Sequence, residues 1–211
     1  MKRISPTIVV IDYEMGNLLS VQKALQKIGC RVKVTDNPSA IEKATGLVLP
    51  GVGSFRDCMT NLSRKGLVDA VYKFIHSGHP FLGICLGMQI LFTESEEFGR
   101  SSGLDILKGK VVPFCKKSGL KVPHVGWNSI KIRRGAPALK DIPDNSYFYF
   151  VHSYYVLPED KDIIATTTEY GEEFVSSVWK DNVFACQFHP EKSQRLGLAL
   201  LKNFKETVYA G

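Results

Sequence analysis

The first half of the sequence alternates short β-branched runs with segments of helical spacing, and this alternation restricts the fold more than any other feature. Residues 7–12 read TIVVID, an apolar run typical of a strand buried on both faces. Residues 31–35, 46–49 and 81–84 are three similar runs, with helical segments between them. Strands joined through helices form parallel sheets with right-handed crossovers. We therefore expect an α/β fold with an open, mostly parallel sheet flanked by helices.

The second half has a different pattern, in which short strand-like runs follow one another with only turns between them. The predicted strands are residues 111–112, 129–132, 147–151, 163–168, 175–179 and 183–188. Helical spacing returns only after Ser193. This pattern predicts an added, largely antiparallel sheet region within a single domain spanning residues 1–211.

Charge and cysteine content exclude several classes of protein. The net charge of +6 is spread along the chain and forms no dense basic stripe, which argues against nucleic-acid binding. The five cysteines form no CxxC pair, and no Cys/His cluster has metal-ligand spacing, so we expect neither a disulfide framework nor a metal site. No apolar run is long enough for a membrane span. We expect a cytoplasmic protein that needs no cofactor.

The pentapeptide GICLG at residues 83–87 has the form of a nucleophile elbow, with Cys85 at its centre. Glycines are needed there because side chains two residues from the nucleophile would collide in the sharp strand-to-helix turn. A helix predicted over residues 86–93 would stabilise the thiolate, and the N–H of Leu86 would face a developing oxyanion. A buried structural cysteine is the simpler alternative. The position at the carboxyl end of a parallel strand favours the nucleophile. The other four cysteines are predicted to be structural.

His189 is the predicted general acid and base, and Glu191 is its predicted orienting carboxylate. His189 follows the apolar run 183–188, again at a strand end. A thiolate that attacks an amide needs a proton donor for the leaving group, and histidine usually supplies it. In extended backbone, residues i and i+2 point to the same side, so Glu191 can hold the imidazole in one tautomer. The alternative is a strand-end histidine beside a surface glutamate.

The sequence PGVG at residues 50–53 follows the third predicted strand and would lie next to the elbow. Gly51 and Gly53 let the backbone approach a substrate closely, and they can present N–H groups to an oxyanion. In isolation the segment would be a simple turn between strand and helix. Its position beside the elbow favours an oxyanion loop centred on Val52.

These segments together resemble the class I, triad-type glutamine amidotransferases, over nearly the whole chain. The resemblance is carried by IDYEMGNL (11–18), PGVGSF (50–55), GICLGMQ (83–89), VPHVGWN (122–128), FVHSYY (150–155) and QFHPEKS (187–193). The elbow and the FHPE run are typical of the whole superfamily. The GMQ ending and the PHxGWN segment are similar to the glutaminase subunits of imidazole glycerol phosphate synthases, since the carbamoyl-phosphate and anthranilate glutaminases usually carry GHQ.

The resemblance implies a flavodoxin-like core and a role for each matched residue. Cys85, His189 and Glu191 would form the triad. Leu86 and the backbone of residues 51–53 would form the oxyanion hole. Gln89, Glu97 and the backbone near Ser153 and Tyr154 would hold the amino-acid head of glutamine, which needs both acceptors and donors.

The resemblance also implies a reaction and a partner. Glutamine would be hydrolysed through a cysteinyl thioester, and ammonia would pass to a (β/α)₈-barrel cyclase in a heterodimer. The cyclase would make imidazole glycerol phosphate and aminoimidazole-carboxamide ribotide. Asn17, Trp127 and Lys192 are expected at the interface. One departure is Glu14, where the family commonly has glycine, and this residue bears on docking rather than on the triad.

Other classes of protein remain as alternatives. A paralogous glutaminase that supplies ammonia to a different synthase, such as a sugar amidotransferase, would carry the same triad. A cysteine peptidase or γ-glutamyl hydrolase with this fold fits Gln89 and the segment 152–154 less well. A non-catalytic α/β binding module would be expected to have lost a triad residue.

Overall fold

The computed structural model describes residues 6–115 and 120–210, in which helices cover both faces of a large mixed sheet. The helices are α1 Leu18–Lys27, α2 Pro38–Glu42, α3 Phe55–Arg64, α4 Val68–His76, α5 Leu86–Gln89 and α6 Gln194–Ala210. The strands are β1 Thr7–Ile11, β2 Arg31–Thr35, β3 Gly46–Gly51, β4 Phe81–Cys85, β5 Phe92–Ser95, β6 Ser101–Ser102, β7 Leu107–Pro113, β8 His124–Ser129, β9 Lys131–Ile132, β10 Tyr147–His152, β11 Tyr154–Pro158, β12 Ile164–Glu169, β13 Glu173–Lys180 and β14 Val183–Cys186.

The large sheet has a parallel half and an antiparallel extension. Its strand order is β2-β1-β3-β4-β14-β13-β11-β7-β5-β6, with β12 paired to β13 and to β9. The first five strands in this order are mutually parallel. From β14 onward the pairings are antiparallel, except that β5 runs parallel to β7. The mixed α/β fold predicted from the sequence is therefore confirmed.

Apart from the edge strand β2, which is partly exposed along its length, the strands of the parallel half are buried on both faces, as their continuous apolar sequences predict. In β1, Val9 and Ile11 pack into the core beneath α2, α3 and α4, whereas Ile8 and Val10 pack into the core beneath α1 and α6. This two-sided burial fixes the strand register, because a shift of one residue would exchange the two sets of side chains.

The register of the parallel half brings three strand ends to one edge of the sheet. Gly51 of β3 pairs with Cys85 of β4, and Ile84 of β4 pairs with Cys186 of β14. The PGVG loop, the elbow and the segment that leads to His189 therefore emerge side by side. This edge is where open α/β sheets bind their ligands.

The helix predicted over residues 86–93 is wrong beyond Gln89. The α5 helix spans only Leu86–Gln89, and β5 begins at Phe92. The reason is a long-range contact, since the carbonyl of Ile90 accepts from Leu104 N at 2.8 Å and that of Thr93 accepts from Gly103 N at 2.9 Å. Together with the pairing of Phe92 opposite Leu107 in the β5–β7 ladder, these bonds hold Phe92 and Thr93 in extended rather than helical backbone.

The antiparallel region contains a separate two-stranded sheet that the sequence patterns only partly indicated. Strand β10 was predicted, but its partner β8 was predicted only from Ser129 onward, and β11 was not predicted. We call this antiparallel pair the β8–β10 hairpin, although residues 130–146 connect its two strands. Its buried face carries His124, Phe148, Phe150 and His152. Val125, Trp127 and Tyr147 are exposed on the other.

Candidate active site

Cys85 is held in a strained turn between β4 and α5. Its φ of 56° and ψ of −114° lie outside the regions that most residues adopt. A Cβ atom at Gly87 would overlap the Leu49 carbonyl oxygen, and one at Gly83 would lie 2.7 Å from the Gly87 carbonyl oxygen. Both glycines are therefore required by close backbone packing, as the elbow predicts. The Cys85 side chain is buried at the base of a cavity.

The predicted base and its carboxylate are in direct contact. His189 Nδ1 lies 2.8 Å from Glu191 Oε1, and both side chains are almost completely buried. The extended tripeptide predicted here is wrong beyond His189, because residues Pro190–Lys192 form a 3₁₀ turn. This turn still directs the carboxylate at the imidazole, so Nδ1 carries the proton and Nε2 is left to face the cavity.

The electrostatic surroundings favour a protonated imidazole. Burial lowers the pKa of His189, but the negative charges of Cys85 and Glu191 and their hydrogen bonds raise it to about 10. Among the described residues, no partner meets the distance and angle of a hydrogen bond with Nε2. The charge of Cys85 is the largest of the effects that raise the pKa of the imidazole. A protonated His189 at this position can donate a proton to a leaving group.

The backbone of His189 is attached to the β8–β10 hairpin. Its N–H donates to the Tyr149 carbonyl at 2.8 Å. The Ser193 hydroxyl donates to the His189 carbonyl at 2.7 Å and accepts from Tyr149 N at 3.0 Å. The antiparallel region therefore positions an imidazole that belongs to the parallel half.

The predicted oxyanion loop packs against the elbow through Gly51. A Cβ atom at Gly51 would lie 2.5 Å from the Tyr13 hydroxyl oxygen and 2.8 Å from Leu86 Cβ. The Tyr13 hydroxyl donates to the Pro50 carbonyl at 2.6 Å, which anchors the start of the loop. Gly51 is thus glycine for lack of space, whereas Gly53, with φ of 100°, needs the left-handed backbone freedom of glycine.

A cavity of about 340 Å³ opens above Cys85. Its lining contains the predicted residues Val52, Gly53, Cys85, Leu86, Gln89, Glu97, Ser153, Tyr154 and His189, together with Pro123, Val151 and His152, which the sequence did not single out. Gly51 and Glu191 do not line it and lie behind the wall. The Val151 carbonyl is 3.9 Å from Cys85 Sγ, so the hairpin closes one side of the cavity.

Glu97 reaches the cavity from the loop after β5. Its Oε2 accepts from the Phe55 N–H at 2.5 Å, at the first turn of α3. Burial raises the pKa of the Glu97 carboxyl, and this hydrogen bond partly opposes the effect. The second carboxylate oxygen is left for a cationic ligand.

Gln89 takes part in a network that sequence reasoning missed. Its Nε2 donates to the Tyr154 carbonyl at 3.0 Å and to Gln187 Oε1 at 2.8 Å. Both N–H groups of the amide are thereby used, so Gln89 has only its oxygen to offer a substrate. The available signal was the pair of polar residues, His152 and Gln187, within otherwise apolar buried strands.

The three predicted interface residues occupy different settings. Trp127 is exposed, and its ring lies 6.1 Å from that of Tyr149. Lys192 is exposed, with Nζ 5.7 Å from the centre of the same Tyr149 ring. Asn17 is exposed and caps α1, accepting from Ser20 N at 3.3 Å.

The remaining cysteines and candidate metal ligands form no second site. All five cysteines are free, and of the four outside the elbow only Cys115 is exposed. Within residues 6–115 and 120–210, no group of three or more histidine, cysteine or acidic side chains is placed to hold a metal ion. In the same ranges, no helix combines the length and apolar character needed to cross a membrane.

Comparison with known proteins identifies the family. The family model described as glutamine amidotransferase class-I matches residues 9–207. The chain belongs to the class-I glutamine amidotransferases. The enzyme class predicted from the triad segments is therefore confirmed, and this amidotransferase has the fold that solved relatives share.

Several relatives of high identity carry the same name. The imidazole glycerol phosphate synthase subunit HisH of Syntrophotalea carbinolica is 55% identical over 202 residues, covering 93% of this chain and 98% of that protein. The subunit HisH of Aquifex aeolicus is 51% identical and covers 93% of this chain and 95% of that protein.

Solved structures of lower identity share the fold. PurLQS of Thermotoga maritima is 18% identical, with a TM-score of 0.74 and coverage of 98% of this chain and 99% of that chain. A glutamine amidotransferase from the same organism is 17% identical, with a TM-score of 0.65 and coverage of 99% and 86%.

Proposed function

We propose that this amidotransferase is the glutaminase subunit of an imidazole glycerol phosphate synthase. The observation that carries the proposal is identity of about one half, over nearly the full length of both chains, to proteins named as that subunit. We take residues 1–211 as one amidotransferase domain. We place it in the cytoplasm, whose reducing conditions suit five free cysteines.

In the proposed mechanism, the Cys85 thiolate attacks the δ-amide carbon of glutamine. The developing oxyanion is stabilised by the N–H of Leu86 and the backbone of residues 51–53. His189 gives its Nε2 proton to the departing nitrogen, and ammonia leaves a glutamyl thioester on Cys85. Neutral His189 then takes a proton from water, and the hydroxide equivalent hydrolyses the thioester to glutamate and free thiolate. Glu191 keeps Nδ1 protonated throughout.

The amino-acid head of glutamine is assigned to the far end of the cavity. The free oxygen of the Glu97 carboxylate and Oε1 of Gln89 are acceptors suited to the α-ammonium group. N–H groups of residues 153 and 154 are assigned to the α-carboxylate. The hydrogen bonds that Glu97 and Gln89 already make agree with this assignment. Glu97 accepts from Phe55 N, and both N–H groups of the Gln89 amide are used, so each side chain has only oxygen acceptors to offer a ligand.

We propose that the exposed face of the β8–β10 hairpin binds a (β/α)₈-barrel cyclase. Val125, Trp127 and Tyr147 are large apolar side chains exposed on this face, and Lys192 borders it through Tyr149. An exposed apolar patch with aromatic residues is typical of a protein interface. Asn17 follows Gly16, where a Cβ atom would lie 3.5 Å from Pro50 Cγ. We therefore assign Asn17 to the margin of the interface near the oxyanion loop.

The decisive experiment combines the purified chain with a cyclase subunit from the same genome. The mixture receives glutamine and the phosphorylated ribulosyl-aminoimidazole-carboxamide substrate, and imidazole glycerol phosphate and glutamate are both measured. We expect the two products in equal amounts. Product formation with an unrelated synthase, and none with the cyclase, would replace this assignment by the paralogous glutaminase.

A matched variant separates the glutaminase from the rest of the complex. We expect Cys85→Ala to abolish glutamate release and glutamine-dependent product formation. Added ammonium salt should restore product formation by the same complex, since the cyclase would be intact. Full glutaminase activity in this variant would overturn the assignment of Cys85 as nucleophile.

A further inference from the structure

Gln187 is a buried amide that touches the proposed nucleophile from the neighbouring strand. It follows β14 directly, is 0% exposed, and its backbone N–H donates to the Ser176 carbonyl at 2.9 Å. Its side-chain Nε2 lies 3.6 Å from Cys85 Sγ, within hydrogen-bond range of a sulfur acceptor. The catalytic steps described above make no use of this group.

The orientation of the Gln187 side-chain amide is fixed, through Gln89, by the backbone carbonyl of Tyr154. The Tyr154 carbonyl oxygen can only accept, so the Gln89 atom bonded to it must be Nε2. The same nitrogen donates to Gln187, so the Gln187 atom there must be its oxygen. The remaining end of the Gln187 amide, facing Cys85, is therefore the NH₂ group.

A second arm of hydrogen bonds meets the same carbonyl from the hairpin. Asn128 Nδ2 lies 3.3 Å from His124 Nε2, and His124 Nδ1 lies 3.0 Å from His152 Nε2. His152 Nδ1 lies 2.9 Å from the Tyr154 carbonyl oxygen and must donate to it. Each imidazole then has a single possible tautomer, with the proton on Nδ1. Both lone pairs of Tyr154 O are thus occupied, which holds Gln89 and, through it, Gln187.

The short α5 helix increases the importance of a side-chain donor. One helical turn carries only a small share of the dipole that a long helix would direct at the thiolate. A neutral thiol is a weak hydrogen-bond acceptor, whereas a thiolate is a charged one, so an N–H aimed at sulfur favours the ionised form.

Other titratable groups near Cys85 do not replace this donor. Burial raises the pKa of Tyr13 and Cys186 well above their usual values, and burial raises that of Cys58 to about 12. These three side chains are neutral at physiological pH. His189 is the charged neighbour, and it is occupied by proton transfer.

We propose that Gln187 is a further catalytic residue, which donates a hydrogen bond to the Cys85 thiolate and is held in that orientation by Gln89 and Tyr154. The inference rests on the proposed role of Cys85 as nucleophile. It does not depend on the cyclase partner.

Alkylation of Cys85 by iodoacetamide tests the proposal without requiring glutamine turnover. The background is Cys115→Ser, which removes the exposed thiol, and mass spectrometry locates the modified residue. We compare the pH profile of the alkylation rate in this parent with that of Gln187→Met. The substitution preserves side-chain length and removes the donor. We expect the midpoint of the profile to move to higher pH and the rate at pH 7 to fall about ten-fold.

Two further variants distinguish loss of the hydrogen-bond donor from general disruption of the site. Ser176→Ala removes a buried hydroxyl on the paired strand without touching Cys85, and it should keep the parental midpoint. Gln187→Asn keeps the amide but shortens its reach, so it should shift the midpoint in the same direction as Gln187→Met. Melting temperatures of all variants confirm that the folded state is being measured. A folded Gln187 variant with the parental midpoint, even if slower at every pH, would overturn the proposal.

A measurement on the unsubstituted chain covers the case in which neither variant folds. The side-chain amide protons of Gln187 should shift in NMR spectra with the same pH midpoint as Cys85 alkylation. That shift should be absent in Cys85→Ser. An amide signal that does not respond to ionisation of Cys85 would exclude the hydrogen bond. If the alkylation midpoints shift as expected but the unsubstituted chain hydrolyses no glutamine even with the cyclase present, the proposed function fails and the hydrogen bond from Gln187 stands.

Discussion

The parallel half of the large sheet and the antiparallel region contribute different kinds of groups to one cavity. The parallel half places Cys85 and His189 at the ends of adjacent strands β4 and β14. The antiparallel region contributes backbone groups, the neutral imidazole of His152 and Glu97. In the proposed mechanism, bond breaking depends on strand ends in fixed register, whereas recognition of the substrate depends largely on the added wall, with Gln89 as the contribution of the parallel half. Substitutions in the two regions should therefore change different kinetic constants.

The largest effect is expected from Glu191→Gln in the parallel half. The substitution replaces the carboxylate that holds His189 in the Nδ1–H tautomer with a neutral amide. We therefore expect kcat for glutamine hydrolysis to fall by about 10³- to 10⁴-fold. KM should change little, because Glu191 does not line the cavity. Steady-state glutaminase assays measure both constants, with the exposed Glu206→Gln as control. A rise in KM at constant kcat would contradict the proposal that the parallel half supplies the chemistry and the antiparallel region most of the substrate contacts.

A smaller effect of the opposite kind is expected from Glu97→Gln in the antiparallel region. Glu97 is the proposed partner of the α-ammonium group, so loss of its partly buried charge should raise KM for glutamine by about 10- to 100-fold. We expect kcat to stay within a few-fold of the parent. The neighbouring Glu96→Gln is a close control, since Glu96 is exposed and pairs with Lys110. Equal loss of kcat and kcat/KM in Glu97→Gln would place this residue with the chemistry instead.

The neutral imidazoles of the antiparallel region should make stability depend on pH. Burial lowers the pKa of His124 to about 4 and that of His152 to about 3. The unfolded chain titrates near 6.5, so between pH 6.5 and 4 it binds more protons than the folded chain. Stability should therefore fall as the pH falls through this interval.

Urea unfolding at several pH values tests this dependence. His124→Asn should reduce the slope of unfolding free energy against pH by up to about 1.4 kcal/mol per pH unit. The exposed Gln26→Ala, which removes no titrating group, should leave the slope unchanged. An unchanged slope in His124→Asn would mean that the imidazole is charged in the folded state, and the assigned tautomers would be wrong.

The smallest effect is expected from Glu14→Gly, at the edge of the parallel half. Glu14 has φ of 65°, a conformation that favours glycine, and it pairs on the surface with Arg64 and Lys65. Relief of backbone strain and loss of exposed ion pairs oppose each other, so the melting temperature should change little. Glutaminase activity of the isolated chain should be unchanged. A large loss of activity would extend the catalytic apparatus beyond the two regions compared here.

The residues of the proposed chemistry could be predicted from sequence because their constraints are local. Cys85 lies between glycines that the turn requires, and Glu191 is two residues from the histidine that it contacts. The parallel strands were predictable for a related reason, since burial on both faces leaves a continuous apolar run in the sequence.

The parts that sequence missed depend on contacts between distant segments. The helix predicted over residues 86–93 ends early because residues 92–95 pair as strand β5 with the distant strands β6 and β7. The role of His152 follows from its contact with Tyr154, which the turn between β10 and β11 brings near it. The role of Gln187 follows from its contact with Cys85, which lies on a strand far away in the sequence. A polar residue in a buried strand indicates that a partner exists, but its identity comes only from the fold.

The fixed polarity of the hydrogen bonds around Tyr154 also restricts where protons can travel. Both arms end on a carbonyl oxygen, and the arm toward Cys85 consists of amides, which neither gain nor lose protons near neutral pH. Gln89 and Gln187 therefore cannot relay a proton to Cys85, whereas Cys85 and His189 both line the cavity. A molecule that covers the cavity mouth would then slow proton exchange with these two residues as well as the passage of glutamine and ammonia.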